Sequence, residues 1–243
     1  MKLRPRSRNS ISLAAVVNTL SSITMFEDSE LHLVARKAVD IFASHGLVCC
    51  LFGSFACALY GCSRPPNDVD IVVMTGTHTQ EELKQLLVRH PSSDFYLRPS
   101  RRIGATYTIA YCSLGEERFC KIDVLIPGVL NIPRVPSERI TNIRDLPVLP
   151  FMALLLMKLQ GWSDHRASAR SDMWEKQYVD VRDINQMLGI AAVRDEDVNR
   201  ETWLPPEFLD AARARVGRFI EKFRQGARWE RIGFEVAVED PSR

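Results

Sequence analysis

Residues 51–54 read Leu-Phe-Gly-Ser, and residues 68–71 read Asp-Val-Asp-Ile. The first stretch predicts a buried strand that runs into a tight turn, and the second predicts a strand that begins with two carboxylates. Because side chains alternate across a strand, Asp68 and Asp70 lie on one face and Val69 lies on the other. Two adjacent carboxylates resist joint ionisation unless a cation compensates them. The pattern therefore predicts a divalent metal site beside a phosphate-binding turn, and the plainer interpretation is a polar strand end with solvated carboxylates.

A third carboxylate follows the same scheme. Residues 118–126 alternate as a half-buried strand does, and this places Asp123 on the face opposite Cys120. Three aspartates on neighbouring strands can hold two metal ions for an in-line displacement at phosphorus. We therefore predict that Asp123 joins Asp68 and Asp70 in binding two Mg²⁺ ions, with Mn²⁺ as the alternative. Asp123 is also expected to orient or deprotonate the attacking hydroxyl.

The turn and the aspartates together resemble the DNA polymerase β-like nucleotidyltransferase superfamily. The signature of that superfamily is an apolar residue, Gly-Gly or Gly-Ser, a gap, and then Asp-apolar-Asp-apolar; residues 52–54 and 68–71 match it here. Its third aspartate corresponds to Asp123. The resemblance covers roughly residues 30–190. It implies an α+β fold, in which a small mixed β-sheet is flanked by helices and followed by a mainly helical C-terminal half.

The resemblance also implies a nucleoside triphosphate (NTP) as co-substrate, bound at Gly53 and Ser54. Taken alone, the Gly-Ser pair is equally typical of an ordinary helix start. Arg64, four residues before Asp68, matches an arginine that is common in the bacterial toxin and antibiotic-modifying branches, which implies a nucleotide-binding role. Those branches often carry Ser or Thr where this chain has Pro66.

Two later residues resemble the AbiEii-type toxin nucleotidyltransferases. Lys158 follows an apolar run, and Asp180 is the first aspartate of an Asp-x-x-Asp pair. In that group the lysine and the first aspartate belong to the active centre, so a catalytic role is implied for both. The plainer interpretation is a snorkelling lysine and a solvated helix face, because the apolar periodicity predicts that the helix over 171–188 buries a stripe containing Tyr178, Val181, Ile184 and Leu188.

The remaining elements follow from apolar periodicity and from Gly and Pro positions. Strands are predicted over 47–52 and 68–74, with a hairpin of 105–112 and 118–126; helices are predicted over 29–45, 54–60, 79–89, 150–160, 171–188 and 206–223. We divide the chain into a basic tail with a short helix (1–26), a nucleotidyltransferase core (27–130) and a helical region (131–243).

Composition narrows the class of protein. The chain has 243 residues, of which 46% are hydrophobic and 26% are charged, as in soluble globular proteins. No apolar run reaches the roughly 20 residues of a membrane span, so no membrane partner is expected. The six cysteines lack zinc-site spacing and are predicted to be reduced thiols, which favours a cytoplasmic location. Residues 1–26 are basic and rich in serine, which leaves a mitochondrial transit peptide as the alternative.

The sequence therefore predicts a metal-dependent nucleotidyltransferase that transfers a nucleotide from an NTP to an acceptor hydroxyl. An RNA 3′ end, a small-molecule hydroxyl and a protein side chain all remain open as acceptors, and the oligomeric state is open too. The net charge of +2 indicates no partner, although Arg98, Arg101 and Arg102 form a basic cluster that either contacts a nucleic-acid backbone or is simply solvated. The alternatives are a catalytically silent nucleotide- or RNA-binding module, or an interaction protein of a toxin-like system, on the same fold.

Overall fold

A seven-stranded mixed sheet forms the centre of the computed structural model, which describes residues 28–101 and 104–236. The strand order is β3-β4-β5-β2-β1-β7-β6. β1 pairs antiparallel with β2, and β2 pairs parallel with β5. The strands are β1 (Cys49–Phe52), β2 (Asp68–Val73), β3 (Phe95–Pro99), β4 (Thr108–Gly115), β5 (Arg118–Leu125), β6 (Thr141–Ile143) and β7 (Leu146–Val148).

Helices lie on the sheet and follow it in the chain. They are α1 (Asp28–Ser44), α2 (Gly53–Leu59), α3 (Gln80–Arg89), α4 (Phe151–Ala167), α5 (Ser171–Arg194), α6 (Pro206–Phe223) and α7 (Gly226–Glu230). α1 contacts β1 and β2, and α3 contacts β3 and β5. α4 and α5 pack against each other, and α2 connects them to the sheet. The predicted α+β class with a mainly helical C-terminal half is confirmed.

Burial explains why the central elements form where they do. All four residues of β1 are buried, as expected for a strand covered on both faces. The apolar run that opens α4 is buried on every side, so this helix belongs to the core. Trp162 of α4 packs edge-on against Phe219 of α6, which ties the helices together. The six cysteines are free and buried, as predicted.

Three strands were not predicted. β3 is a short edge strand that ends in Pro99, and β7 contains Pro147; proline within a run favours a loop or an edge. Because β7 pairs with β1, the sheet continues past residue 130. The division of the chain at residue 130 stays a prediction, and the predicted basic tail (1–26) lies outside the described residues. Within the described ranges, no helix has both the length and the apolar character needed to cross a membrane.

Candidate active site

The three predicted aspartates meet on one face of the sheet. Asp70 of β2 pairs in register with Asp123 of the parallel strand β5, and Asp68 precedes Asp70 by two residues. One carboxylate oxygen from each aspartate lies within 4.8 Å of the other two. Hard oxygen ligands in such a cluster suit Mg²⁺ or Mn²⁺. The donor set therefore fits the predicted metal site.

The pKa of Asp70 shows that the three carboxylates repel one another when no cation is bound. Burial, followed by the negative charges of Asp68 and Asp123, raises the pKa of Asp70 to about 8. Carboxylates held this close favour the protonated form of one member until a cation compensates them. A divalent cation at the triad would remove that repulsion.

Lys121 is a residue of the site that the sequence analysis missed. It lies opposite Asp68 in the parallel pairing, its ammonium binds the Asp123 carboxylate, and it is 3.7 Å from the nearer Asp68 oxygen. The signal was present, because Lys121 and Asp123 are two residues apart on a strand and therefore share a face. Lys121 supplies one positive charge to a cluster of three carboxylates.

The Gly-Ser turn abuts the triad. Gly53 follows β1 with φ +69°, and a Cβ built there would lie 1.9 Å from the Oδ2 atom of Asp70. Both the backbone conformation and the close approach therefore require glycine. Ser54, the next residue, is partly buried. The turn and Asp70 consequently form one surface.

A cavity of about 380 Å³ continues from this turn toward the helices. Its walls include Phe52 and Gly53 at the end of β1, Leu130 from the loop after β5, and side chains of α4 and α5. Lys158 and Asp180 are both among the lining residues. The positive charge of Lys158 also lowers the pKa of Asp70 somewhat, so the lysine lies within electrostatic reach of the triad.

Lys158 is held inside the protein by Asp183. Its ammonium donates to Asp183 Oδ2 at 3.0 Å, and Arg64 binds the same carboxylate through two hydrogen bonds of 2.9 and 2.7 Å. Burial by itself would raise the pKa of Asp183, but these two cations hold it below its usual value. Lys158 therefore does not snorkel to solvent. Arg64 is engaged by Asp183 and does not line the cavity, and its nucleotide-binding role stays a prediction.

Asp180 is also paired, in this case with His165. His165 Nδ1 lies 2.6 Å from Asp180 Oδ2, and both residues line the cavity. Burial raises the pKa of Asp180 overall, although His165 opposes the shift. The predicted solvated face of α5 is wrong, because Asp180 and Asp183 are buried while Tyr178 of the predicted inner stripe is 55% exposed. Apolar periodicity cannot identify charges that are buried because they are paired.

The comparisons with known proteins add evidence on the fold. No protein-family model matches the sequence, and no curated protein matches it either. Among solved structures, an antigenic nucleotidyltransferase-like protein from Paracoccidioides brasiliensis superimposes with a TM-score of 0.61. The match covers 86% of this chain and 94% of that chain at 17% identity. This chain has a nucleotidyltransferase-like fold. At this identity the likeness shows the fold and nothing about the substrate.

Two more distant likenesses involve the antibiotic-resistance factor ANT(2″)-Ia. Its solution structure matches with a TM-score of 0.42 and 10% identity, covering 83% of this chain and 98% of that chain. Its crystal structure in complex with adenylyl-2″-tobramycin matches with a TM-score of 0.37 and 12% identity, covering 68% and 96%. Both TM-scores are too low to support a conclusion about this chain. The assignment to the AbiEii-type branch stays a prediction.

Proposed function

We propose that this chain is a metal-dependent nucleotidyltransferase. It transfers a nucleoside monophosphate from an NTP to an acceptor hydroxyl, and pyrophosphate leaves. The observation that carries the proposal is the convergence of three carboxylates with the Gly53 turn on one face of a nucleotidyltransferase-like sheet. The raised pKa of Asp70 supports it, because Lys121 compensates the cluster of three carboxylates only in part.

Some residues of the site would bind the metal ions, and others would bind the nucleotide. Asp68, Asp70 and Asp123 would hold two Mg²⁺ ions, which neutralise charge on the phosphates and polarise the attacking hydroxyl when bound. Asp123 also orients that hydroxyl or accepts its proton. The backbone of Gly53 and the hydroxyl of Ser54 bind phosphate oxygens beside the triad.

The helical side of the cavity supplies the cation for the triphosphate. Lys158 donates one hydrogen bond to Asp183 and retains donors for a phosphate oxygen. Arg64 fixes the Asp183 carboxylate from the other side and so keeps Lys158 in place. Asp180, paired with His165, forms the adjacent wall of the cavity and is proposed to act in the active centre.

The direct test is joint binding of metal and nucleotide. Thermal stability is measured with Mg²⁺ alone, with a non-hydrolysable NTP analogue alone, and with both. Ligands that bind only the folded state stabilise it by about 2.7 kcal/mol at one hundred times Kd. We expect a large shift only when both are present. No shift and no calorimetric heat at saturating amounts of both would refute the metal-nucleotide site.

Replacement of Asp70 by asparagine tests the chemistry. Asp70→Asn keeps the shape of the side chain and removes a charge that would bind metal. Pyrophosphate release should therefore fall by more than about a hundredfold, because this loss exceeds the one usually seen when a residue that only supports a metal ligand is changed. Asp94→Asn serves as the control, because Asp94 is an exposed carboxylate paired with Lys37 away from the triad. An Asp70→Asn protein that retains most of the parental turnover would remove Asp70 from the mechanism.

A further inference from the structure

The sheet face that carries the triad continues beyond it toward the edge strand. Tyr111 of β4 lies opposite Lys121 of β5, and Tyr96 of β3 lies opposite Tyr111. Residues directly opposite each other share a face, and so do residues two apart on one strand. Arg98 and Phe119 therefore join Tyr96 and Tyr111 on the face of the triad. We call these four residues the aromatic platform: Tyr96, Arg98, Tyr111 and Phe119.

The platform is a stack of side chains of which Phe119 and Arg98 are exposed and the two tyrosines are partly buried. The rings of Tyr96 and Tyr111 are stacked with centroids 5.8 Å apart, and Phe119 meets Tyr111 edge-on at 5.3 Å. The Arg98 guanidinium lies 4.6 to 5.2 Å from all three ring centroids. Phe119 is 40% exposed and Arg98 is exposed as well. The opposite face of the same strands packs into the core through Phe95, Ala110, Cys112 and Cys120.

Arg98 supplies a positive charge within the platform. No carboxylate in the described part of the chain pairs with Arg98, so its charge is uncompensated. Lys121, which binds Asp123, stands between the platform and the triad. Arg101 is exposed just after β3, and Arg102 lies outside the described residues. Aromatic rings beside exposed cations such as Arg98 are the combination that binds bases and phosphates of single strands.

We propose that the aromatic platform binds a single-stranded polynucleotide whose 3′ hydroxyl is the acceptor. This inference rests on the proposed function, and it narrows the acceptor to one class. Bases stack on Tyr111, Phe119 and the guanidinium plane of Arg98, while the phosphates face the charge of Arg98. A small-molecule acceptor would instead use an enclosing concavity rather than this open face of the sheet.

The spacing suits a strand that ends at the triad. Phe119 and Asp123 are four residues apart on β5, so they are separated by roughly 13 Å at about 3.3 Å per residue. About four stacked nucleotides at ~3.4 Å each cover that span. The NTP cavity lies on the other side of the triad, toward α4 and α5. Donor and acceptor would therefore approach the carboxylates from opposite sides, which leaves room for the attacking oxygen to lie in line with the leaving pyrophosphate.

In the transfer step the terminal 3′ oxygen attacks the α-phosphorus of the NTP. A new phosphodiester bond forms, the bond to the bridging oxygen of pyrophosphate breaks, and the hydroxyl proton passes to Asp123 or to solvent. The strand lengthens by one nucleotide. No oxidant or further co-reactant is needed.

The first experiment measures binding alone. Fluorescence anisotropy of short labelled strands, without NTP or metal, compares single-stranded RNA, single-stranded DNA and duplex RNA. Stacking measured by alanine substitution predicts that Phe119→Ala and Arg98→Ala each weaken single-strand binding by at least about fivefold. Tyr178→Ala is the matched control, since Tyr178 is an exposed ring on α5 that also has an aromatic neighbour, Trp174. Thermal melts of every variant show whether the fold is intact.

The outcomes separate the two proposals. The platform is supported if the parent prefers single strands to duplex and this preference falls in both platform variants but not in Tyr178→Ala. Comparison of RNA with DNA then identifies which kind of strand the protein binds. The platform proposal is overturned if the parent and the platform variants bind single strands with equal affinity, or if no strand binds. Either result indicates that Arg98 only covers the rings. The proposed function is judged separately by Mg²⁺-dependent NTP binding and pyrophosphate release. A protein that binds strands but neither binds nor consumes NTP refutes the proposed function, and also the assignment of the 3′ end as acceptor.

Discussion

Two carboxylates in this protein, Asp70 and Asp183, are treated in opposite ways by their surroundings. In the triad, burial and neighbouring negative charges raise the pKa of Asp70 to about 8. Between α4 and α5, Asp183 has a side chain only 1% exposed, yet Arg64 and Lys158 hold its pKa below the usual value. The protein pairs Asp183 with two of its own cations, whereas the half-buried Asp70 forms no salt bridge with any described residue. A buried carboxylate that lacks an internal partner is the better indicator of a metal site.

Lys121 refines this comparison. Its ammonium contacts Asp123 and approaches Asp68, so two of the three carboxylates have a cation nearby. The third, Asp70, abuts the Gly53 backbone and has no salt bridge of its own among the described residues. The uncompensated charge is thus concentrated next to the Gly53 turn.

The largest expected effect is the loss of Asp183. Asp183→Asn leaves the partly buried Arg64 and Lys158 without their counter-ion, and breaking a buried ion pair costs about 3–5 kcal/mol of unfolding free energy. Asp195→Asn is the matched control, because Asp195 pairs with Arg200 in solvent and should change stability little. Urea unfolding of both variants measures the difference. Equal unfolding midpoints would show that the ion pairs of Asp183 with Arg64 and Lys158 contribute nothing to stability. Asp183 would then not differ from the triad in the way proposed.

Lys158 tests whether the compensated cluster also serves the nucleotide. Lys158→Met keeps the apolar stem and removes the charge, and Arg64 still binds Asp183. Loss of a charge-assisted contact should weaken binding of the NTP analogue by about 1.5–3 kcal/mol, measured by calorimetry in Mg²⁺. Lys176→Met, an exposed lysine on α5, is the control. Unchanged nucleotide affinity with reduced stability would make Lys158 a purely structural partner of Asp183.

Gly53 offers a smaller and more specific effect. Gly53→Ala places a side chain at positive φ, which costs about 1–2 kcal/mol, and also drives the new Cβ into Asp70. Gly115→Ala is matched in φ, at +80°, and has no atom within 4 Å of the new Cβ. Both variants should lose similar stability from the backbone, but only Gly53→Ala should also lose the Mg²⁺-dependent stabilisation by nucleotide. If both retain it, the turn does not hold the triad in place.

The triad could be predicted from the sequence because its signal is local. Asp68 and Asp70 share a strand, and alternation alone places them on one face. Asp123 needed a second strand, which its apolar neighbours Cys120 and Ile122 made recognisable. The same rule applied to Lys121 would have found the triad's own cation. Helix and strand positions from residue 47 to 89 follow the prediction closely, because Gly and Pro mark their ends.

The buried polar side of α5 could not be predicted in the same way. Periodicity assigns Tyr178 to the core and Asp183 to solvent, since it counts apolar residues only. The true arrangement depends on Arg64, which is 119 residues away in the chain, and on Lys158 of another helix. Pairing across such distances leaves no local pattern. The strands β6 and β7 were missed for a related reason, because they are short and supported by β1.

The pH dependence of stability gives the finest test of the comparison. Asp70 has a pKa of about 8 in the folded protein against an ordinary value of 3.8. Between these values the folded state retains a proton that the unfolded state has lost, so stability declines as pH rises, and the decline ends near pH 8. From pH 6 to 7 in EDTA, the parent should lose at most about 1.4 kcal/mol relative to Asp70→Asn, which carries no such group.

Asp183 should behave in the opposite sense. Its folded pKa is lowered, so its stabilising contribution is present above the unfolded pKa of about 3.8 and is lost only as pH falls below that value. The advantage of the parent over Asp183→Asn should therefore be constant from pH 6 to 8, while the deficit of the parent relative to Asp70→Asn grows. Saturating Mg²⁺ should cancel that growth, because a bound cation favours the ionised Asp70. Parallel pH profiles for the parent and Asp70→Asn in EDTA would mean that Asp70 is ionised without a metal, and the distinction between the two carboxylate groups would fail.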